Sequence, residues 1–118
     1  MSQLSDFLQK LNQNPNSIHF QEVITFIDEN YNFTPTAFQN GNTFNEVNQN
    51  NGSCKVFSFA LLNQLTTAQT LALFGDYYFK DVLENTNGTD HQNIRNFMNY
   101  GWEGMEFKGE ALVGKHSL

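Results

Sequence analysis

Basic residues are scarce in this chain. Lys and Arg number 6 against 12 Asp and Glu, for a formal net charge of −6. A nucleic-acid binder needs a basic patch to neutralise phosphates, and an anionic membrane surface makes the same demand. No run in this sequence supplies one, so neither partner is expected. Charge of either sign is thin, with Asp, Glu, Lys and Arg making up 15% of the residues. Asn and Gln carry much of the remaining polarity. There is 1 cysteine, which excludes an internal disulfide and a cysteine-based zinc site. No apolar run approaches the length of roughly 18 residues that a membrane span requires. The start of the chain has no basic region followed by an apolar stretch, so no Sec-type signal peptide is expected. Three Asn-X-Ser/Thr matches, at Asn32, Asn51 and Asn87, are read as chance matches in an Asn-rich chain.

What the chain does have is aromatic mass. Of its 118 residues, 12 are Phe, and a chain of this length suits one domain, 1–118, with a core built largely of rings. Leu4, Phe7, Leu8 and Leu11 form one helical stripe. Pro15 breaks it, and Ser17 can cap a second helix that carries Phe20, Val23, Ile24, Ile27 and Tyr31. From Asn32 to Gly52 there is no helical period. Asn40-Gly41 and Asn51-Gly52 are turn signals, and the stretch reads as a long ordered loop pinned by Phe33, Phe38 and Phe44.

Ser53 to Gln64 reads as a hub helix, apolar on nearly every side through Val56, Phe57, Phe59, Ala60, Leu61 and Leu62. Thr66 or Thr67 caps the next helix, with Leu71, Phe74, Tyr78 and Val82 on one stripe and Gly75 inside it. Thr89 or Asp90 caps a last helix that turns Ile94, Phe97 and Met98 inward and ends at Gly101-Trp102. Met105 to Leu118 shows no period. It is expected to pack Phe107 and Leu112 and then fray. The expectation is an all-α fold, a compact small helical domain of about five helices around a buried central helix, with a long ordered loop.

Several long motifs stand in order. They are Phe33-Thr34-Pro35-Thr36-Ala37-Phe38 with Asn40-Gly41, then Asn51-Gly52-Ser53-Cys54-Lys55, then Thr70-Leu71 with Phe74-Gly75-Asp76-Tyr77-Tyr78. Asp90-His91-Gln92-Asn93-Ile94-Arg95, Phe97-Met98 and Gly101-Trp102 complete the set. On these stretches, from about Tyr31 to Leu112, the chain resembles the HopJ type III effector family. It departs from the family pattern at Asn48, where a glycine is expected, at Phe79, where an arginine is common, and at Thr86, where a proline is common. The missing basic residue at Phe79 weakens an anion-binding role for that helix. The resemblance implies a bacterial protein held in the cytoplasm or delivered into a host cell by a type III system. It brings no activity, cofactor or catalytic residue with it.

The residues themselves offer two candidate sites. Cys54 falls in the first turn of the hub helix, where backbone N–H groups and Lys55 favour a thiolate. Gln49, Cys54 and His91 follow the chain order of papain-like thiol hydrolases, in which a glutamine helps to bind the oxyanion. The Gln49–Cys54 spacing is one residue short of that pattern, and the plainer reading of Cys54 is a small buried hydrophobe. The second candidate is an anion site at the start of the last helix, made by Asp90, His91, Asn93 and Arg95. Its plainer reading is a helix cap with a salt bridge. No metal-ligand spacing is present, and no cofactor is expected. The leading reading is a non-enzymatic domain, compatible with a monomer, that binds a protein or a small molecule. A thiol-dependent hydrolase or transferase and a small-anion binder are the alternatives.

Overall fold

The computed structural model describes residues 3–115. It is a mixed α/β protein, about 56% helical, with two small antiparallel sheets of five strands in all. The all-α expectation is therefore overturned. The five helices are α1 (Gln3–Gln13), α2 (Phe20–Asn30), α3 (Asn51–Leu62), α4 (Thr67–Ala72) and α5 (Gln92–Tyr100). The strands are β1 (Tyr31–Phe33), β2 (Phe38–Asn40), β3 (Thr43–Asn45), β4 (Met105–Phe107) and β5 (Leu112–Gly114).

The strands lie in the two stretches that lack a helical period. The expected long loop holds β2, β3 and all of β1 except Tyr31, which was expected on the second helix and instead opens the strand, and the expected fraying tail holds β4 and β5. β1 pairs with β5, setting Tyr31 opposite Gly114 and Phe33 opposite Leu112. β2 is the centre of the order β3-β2-β4, setting Phe38 between Asn45 and Phe107. Each strand is three residues long, too short to show a period of two in sequence. Two of the three pairings join residues far apart in the chain, so no local signal marks them. The Asn40-Gly41 turn signal does mark the β2–β3 hairpin. Gly41 takes φ +62, and a Cβ there would run into the Tyr100 ring, so glycine is required.

α3 is the hub. Its ring of buried side chains includes Cys54, Val56, Phe57, Phe59 and Ala60. Two groups of aromatics meet on it. Phe57 contacts Phe38, Phe74 and Phe97, with centroids 6.1, 5.2 and 5.0 Å away. Phe59 meets Phe7, Phe26 and Tyr31 edge-on at 5.8, 5.9 and 5.8 Å. Edge-to-face rings at these separations add about 0.5–1.5 kcal/mol per pair beyond the area they bury. The helix is not swallowed throughout, because Leu61 and Leu62 at its end are each 52% exposed. Met98 on α5 and Phe44 on β3 also face outward, against expectation.

Three helix starts differ from the sequence reading: α2 begins at Phe20 and not after a Ser17 cap, α3 at Asn51 and not at Ser53, and α5 at Gln92 after His91 and not after Thr89 or Asp90. Pro15–Ser17 forms a separate 3₁₀ turn, and α2 is capped at His19, whose N–H donates to the Glu22 carboxylate at 2.8 Å. α4 keeps its expected cap, with the Gln69 N–H donating to Thr66 Oγ1 at 3.1 Å. The stripe beyond α4 is interrupted. Gly75 takes φ +60, and a Cβ there would lie 2.8 Å from the Phe20 nitrogen and 3.1 Å from the Ile18 carbonyl oxygen. The chain then resumes as a π-helical turn over Tyr77–Val82. Such turns occur disproportionately at functional sites.

Candidate functional site

A cleft of about 440 Å³ opens where the starts of α3 and α5 come together beside the β2–β3 hairpin. This lies within the ~300–1,000 Å³ range of small-molecule sites. Asn50, Gly52 and Ser53 reach it from α3, and His91, Gln92 and Asn93 from α5. Thr43, Asn45 and Gln49 come from the hairpin and the loop after it, and Phe20, Phe74, Tyr77 and Ile94 supply the apolar part.

A lattice of asparagine amides fixes the polar part. Asn93 Oδ1 accepts from Asn40 Nδ2 at 2.9 Å and from Asn45 Nδ2 at 3.1 Å. Asn93 Nδ2 donates to Asn45 Oδ1 at 2.9 Å, and Asn50 Nδ2 donates to the same oxygen at 2.6 Å. Asn40 Nδ2 also donates to the Asn93 carbonyl at 2.8 Å. Asn96 donates to Thr43 Oγ1 at 2.7 Å. Asn40, Asn45, Asn93 and Asn96 are all buried. Buried amides persist where most of their donors and acceptors find partners, and here they largely supply one another, with Asn40 Oδ1 left buried and unpartnered among the described residues. The lattice thereby locks the hairpin, the α3 start and the α5 start into one frame.

The aromatic part is continuous. Phe20 stacks on Phe74 at 6.0 Å and meets Tyr77 at 5.1 Å, and Tyr77 lies against the His91 ring at 5.1 Å. The π-helical turn holds two partners of His91, and a third, the Asp90 carboxylate, lies 3.9 Å from Nε2. Tyr77 covers the ring, and the Asp81 carboxylate lies 3.1 Å from Nε2. A carboxylate only accepts, so Nε2 carries the proton in this pair. His91 itself occupies the left-handed region at φ 52, ψ 49 and serves as the N-cap residue of α5 in place of Thr89 or Asp90. Left-handed backbone at a residue other than glycine is uncommon and is held only when its surroundings fix it.

The first candidate set is divided by the fold. Gln49 and His91 line the cleft, and Gln49 Oε1 accepts from the Glu46 N–H at 2.8 Å. Cys54 is not part of the cleft lining. It is 1% exposed, and Sγ lies 3.4 Å from the Thr36 carbonyl as its donor. Burial pushes its thiol above the ordinary value of 9.0. Lys55 does not serve the thiol. Its ammonium pairs with Asp28 at 2.8 Å and lies 5.0 Å from the Phe33 ring centroid.

The second candidate set is divided as well. Asp90 and Arg95 pair with each other at 2.6 Å, and this bond with the Arg95 guanidinium holds the Asp90 carboxyl below the usual range. Arg95 also donates to the carbonyls of Asp90, Asn85 and Thr86, which closes the loop before α5. His91 and Asn93 alone of this set line the cleft. The sequence reading missed Asn45, Asn50 and Tyr77. An excess of asparagine was visible, but nothing in the sequence shows which amides meet. Among the described residues, no group of three or more His, Cys, Asp or Glu could hold a metal ion.

A family model described as HopJ type III effector protein matches residues 4–112. The chain belongs to the HopJ family. A solved structure described as the crystal structure of unknown function protein VPA0580 superposes on this HopJ chain with a TM-score of 0.94. It is 52% identical in sequence, and the match covers 97% of this chain and 95% of that one. No curated protein matches the sequence. Among the described residues, no helix is long and apolar enough to cross a membrane.

Proposed function

We propose that this HopJ chain is one binding domain over 1–118, non-enzymatic, that receives a ligand or a segment of a partner in the cleft between α3 and α5. The observation that carries this reading is the asparagine lattice. Three buried amides tied to one another, Asn40, Asn45 and Asn93, hold a preformed concave surface, and preorganisation of this kind raises affinity by removing ordering costs. A bacterial cytoplasmic protein that is passed to a host cell by type III delivery fits the family, and a binding domain needs no catalytic group to act there.

The thiol-dependent alternative is less well supported. A general base must come within about 3 Å of the proton it takes, and the Cys54 proton points to the Thr36 carbonyl. The small-anion alternative loses its main cation, because the Arg95 donors are engaged by Asp90 and by loop carbonyls.

The test is a chemically mixed fragment screen, read on the side-chain amide resonances of the whole chain. Fragments are expected to move the Asn45, Asn50 and Asn93 signals together. Ser53→Trp, which places an indole at the cleft wall, is expected to abolish those shifts while the protein stays folded. A screen in which no fragment reaches these amides would refute the reading.

A further inference from the structure

We propose that the cleft takes an uncharged, hydroxyl-bearing ring, the chemistry of a sugar unit. This rests on the binding reading above and names its ligand class. Charge is the first argument. Among the described residues, no Lys, Arg, Asp or Glu lines the cleft. The nearest ions are spent, with Asp81 on His91 Nε2 at 3.1 Å and Asp90 on Arg95 at 2.6 Å. An anionic ligand would meet no free side-chain cation here, and a cationic one no free carboxylate.

The unspent hydrogen-bonding groups are the second argument. Asn50 uses one N–H on Asn45, leaving its other N–H and its Oδ1 without a partner among the described residues. Gln49 uses its oxygen on the Glu46 N–H and keeps its amide hydrogens, whereas Gln92 uses its nitrogen on the Thr89 carbonyl and keeps its oxygen. The Ser53 hydroxyl also lines the cleft, and it both donates and accepts. An anion calls for donors alone and a cation for acceptors alone. This set mixes the two, as do the hydroxyl groups of a sugar.

The third argument is the aromatic wall. Tyr77 is 43% exposed, although Phe20 and His91 hold its ring in place. Aromatic faces carry negative potential and attract the weakly positive C–H face of a saturated ring. A ligand with hydroxyls at its rim and C–H bonds on its face satisfies both walls at once.

The experiment titrates the whole chain with glucose, N-acetylglucosamine, maltose and cellobiose. Parallel arms use phosphate, citrate, glutamate and putrescine. At least one neutral sugar is expected to give saturable shifts of the Asn50 and Gln92 side-chain amides. Tyr77→Ala is expected to weaken that binding by about tenfold, the upper end of what an aromatic contact supplies, with Tyr77→Phe close to wild type. Should Tyr77→Ala lose the native spectrum, Ser53→Val takes its place, with the same weakening expected. Shifts from the charged probes and none from the sugars would overturn the ligand class and leave the binding reading standing. Silence from every probe here, with fragments still entering the cleft, would do the same. Silence in both experiments would remove both.

Discussion

Asn93→Leu is the substitution that tests the frame most directly. Leucine matches asparagine in the number and branching of its heavy atoms, so the change removes the polar partners while keeping the side-chain shape, at the cost of two bulkier methyl groups. Three side-chain hydrogen bonds disappear, at 2.9, 3.1 and 2.9 Å. Asn40 Nδ2 keeps the Asn93 carbonyl at 2.8 Å, and Asn45 Oδ1 keeps Asn50 at 2.6 Å. Asn45 Nδ2 fares worst, left with only the Phe38 carbonyl at 3.5 Å. A buried bond contributes about 0.5–1.5 kcal/mol net, and a group stranded in the interior costs about 1–3 kcal/mol. Two ordinary losses and one nearly stranded donor give a destabilisation of about 2–6 kcal/mol. In a chain of this size that corresponds to a fall in Tm of roughly 10–25 °C. Urea unfolding followed by circular dichroism measures it. A double-mutant cycle with Asn45→Leu separates the lattice from simple burial, and the pair is expected to depart from additivity by at least about 1 kcal/mol. A single-mutant cost below about 0.5 kcal/mol, with an additive cycle, would refute the claim that these amides hold one another.

Gly75→Ala puts a Cβ against two backbone atoms at positive φ, so a loss of about 2–4 kcal/mol is expected in the same unfolding assay; an effect near zero would show that the α4 break is not forced. Native Cys54 is expected to react with iodoacetamide only as fast as the protein opens, whereas rapid alkylation of folded protein would contradict its burial. Because the Cys54 thiol is raised from 9.0, its contribution to stability is complete below that value and is lost as pH climbs through the higher folded value; Cys54→Ala should flatten that alkaline limb. Glu22 runs the other way: burial raises its carboxyl, but the His19 N–H and Lys10 outweigh this and leave it below 4.5. Its contribution is therefore present above that value and lost as pH falls through the lower folded value, and Glu22→Gln should remove part of the acid limb in pH-dependent melting.

The helices were legible because their signals are local. Leu4, Phe7, Leu8 and Leu11 repeat at the helical period, the Thr66-Thr67 pair offers a cap for α4, and the density of Val56 to Ala60 marks a buried helix. The Asn40-Gly41 turn could be read for the same reason, since a residue pair dictates its own backbone. What tertiary structure decided is everything that depends on distant segments meeting. β2 pairs with β4 only because the chain returns some sixty-five residues later, and three-residue strands carry too little pattern to foretell it. Asn40, Asn45, Asn50 and Asn93 look in sequence like ordinary loop and cap residues. An amide has no preferred partner until the fold supplies one, and the cleft exists only because these four were brought together. Cys54 is the converse case. Its place in the first turns of a helix suggested reactivity, but packing against Thr36 buries it, and desolvation opposes the thiolate more strongly than its hydrogen bonds favour it.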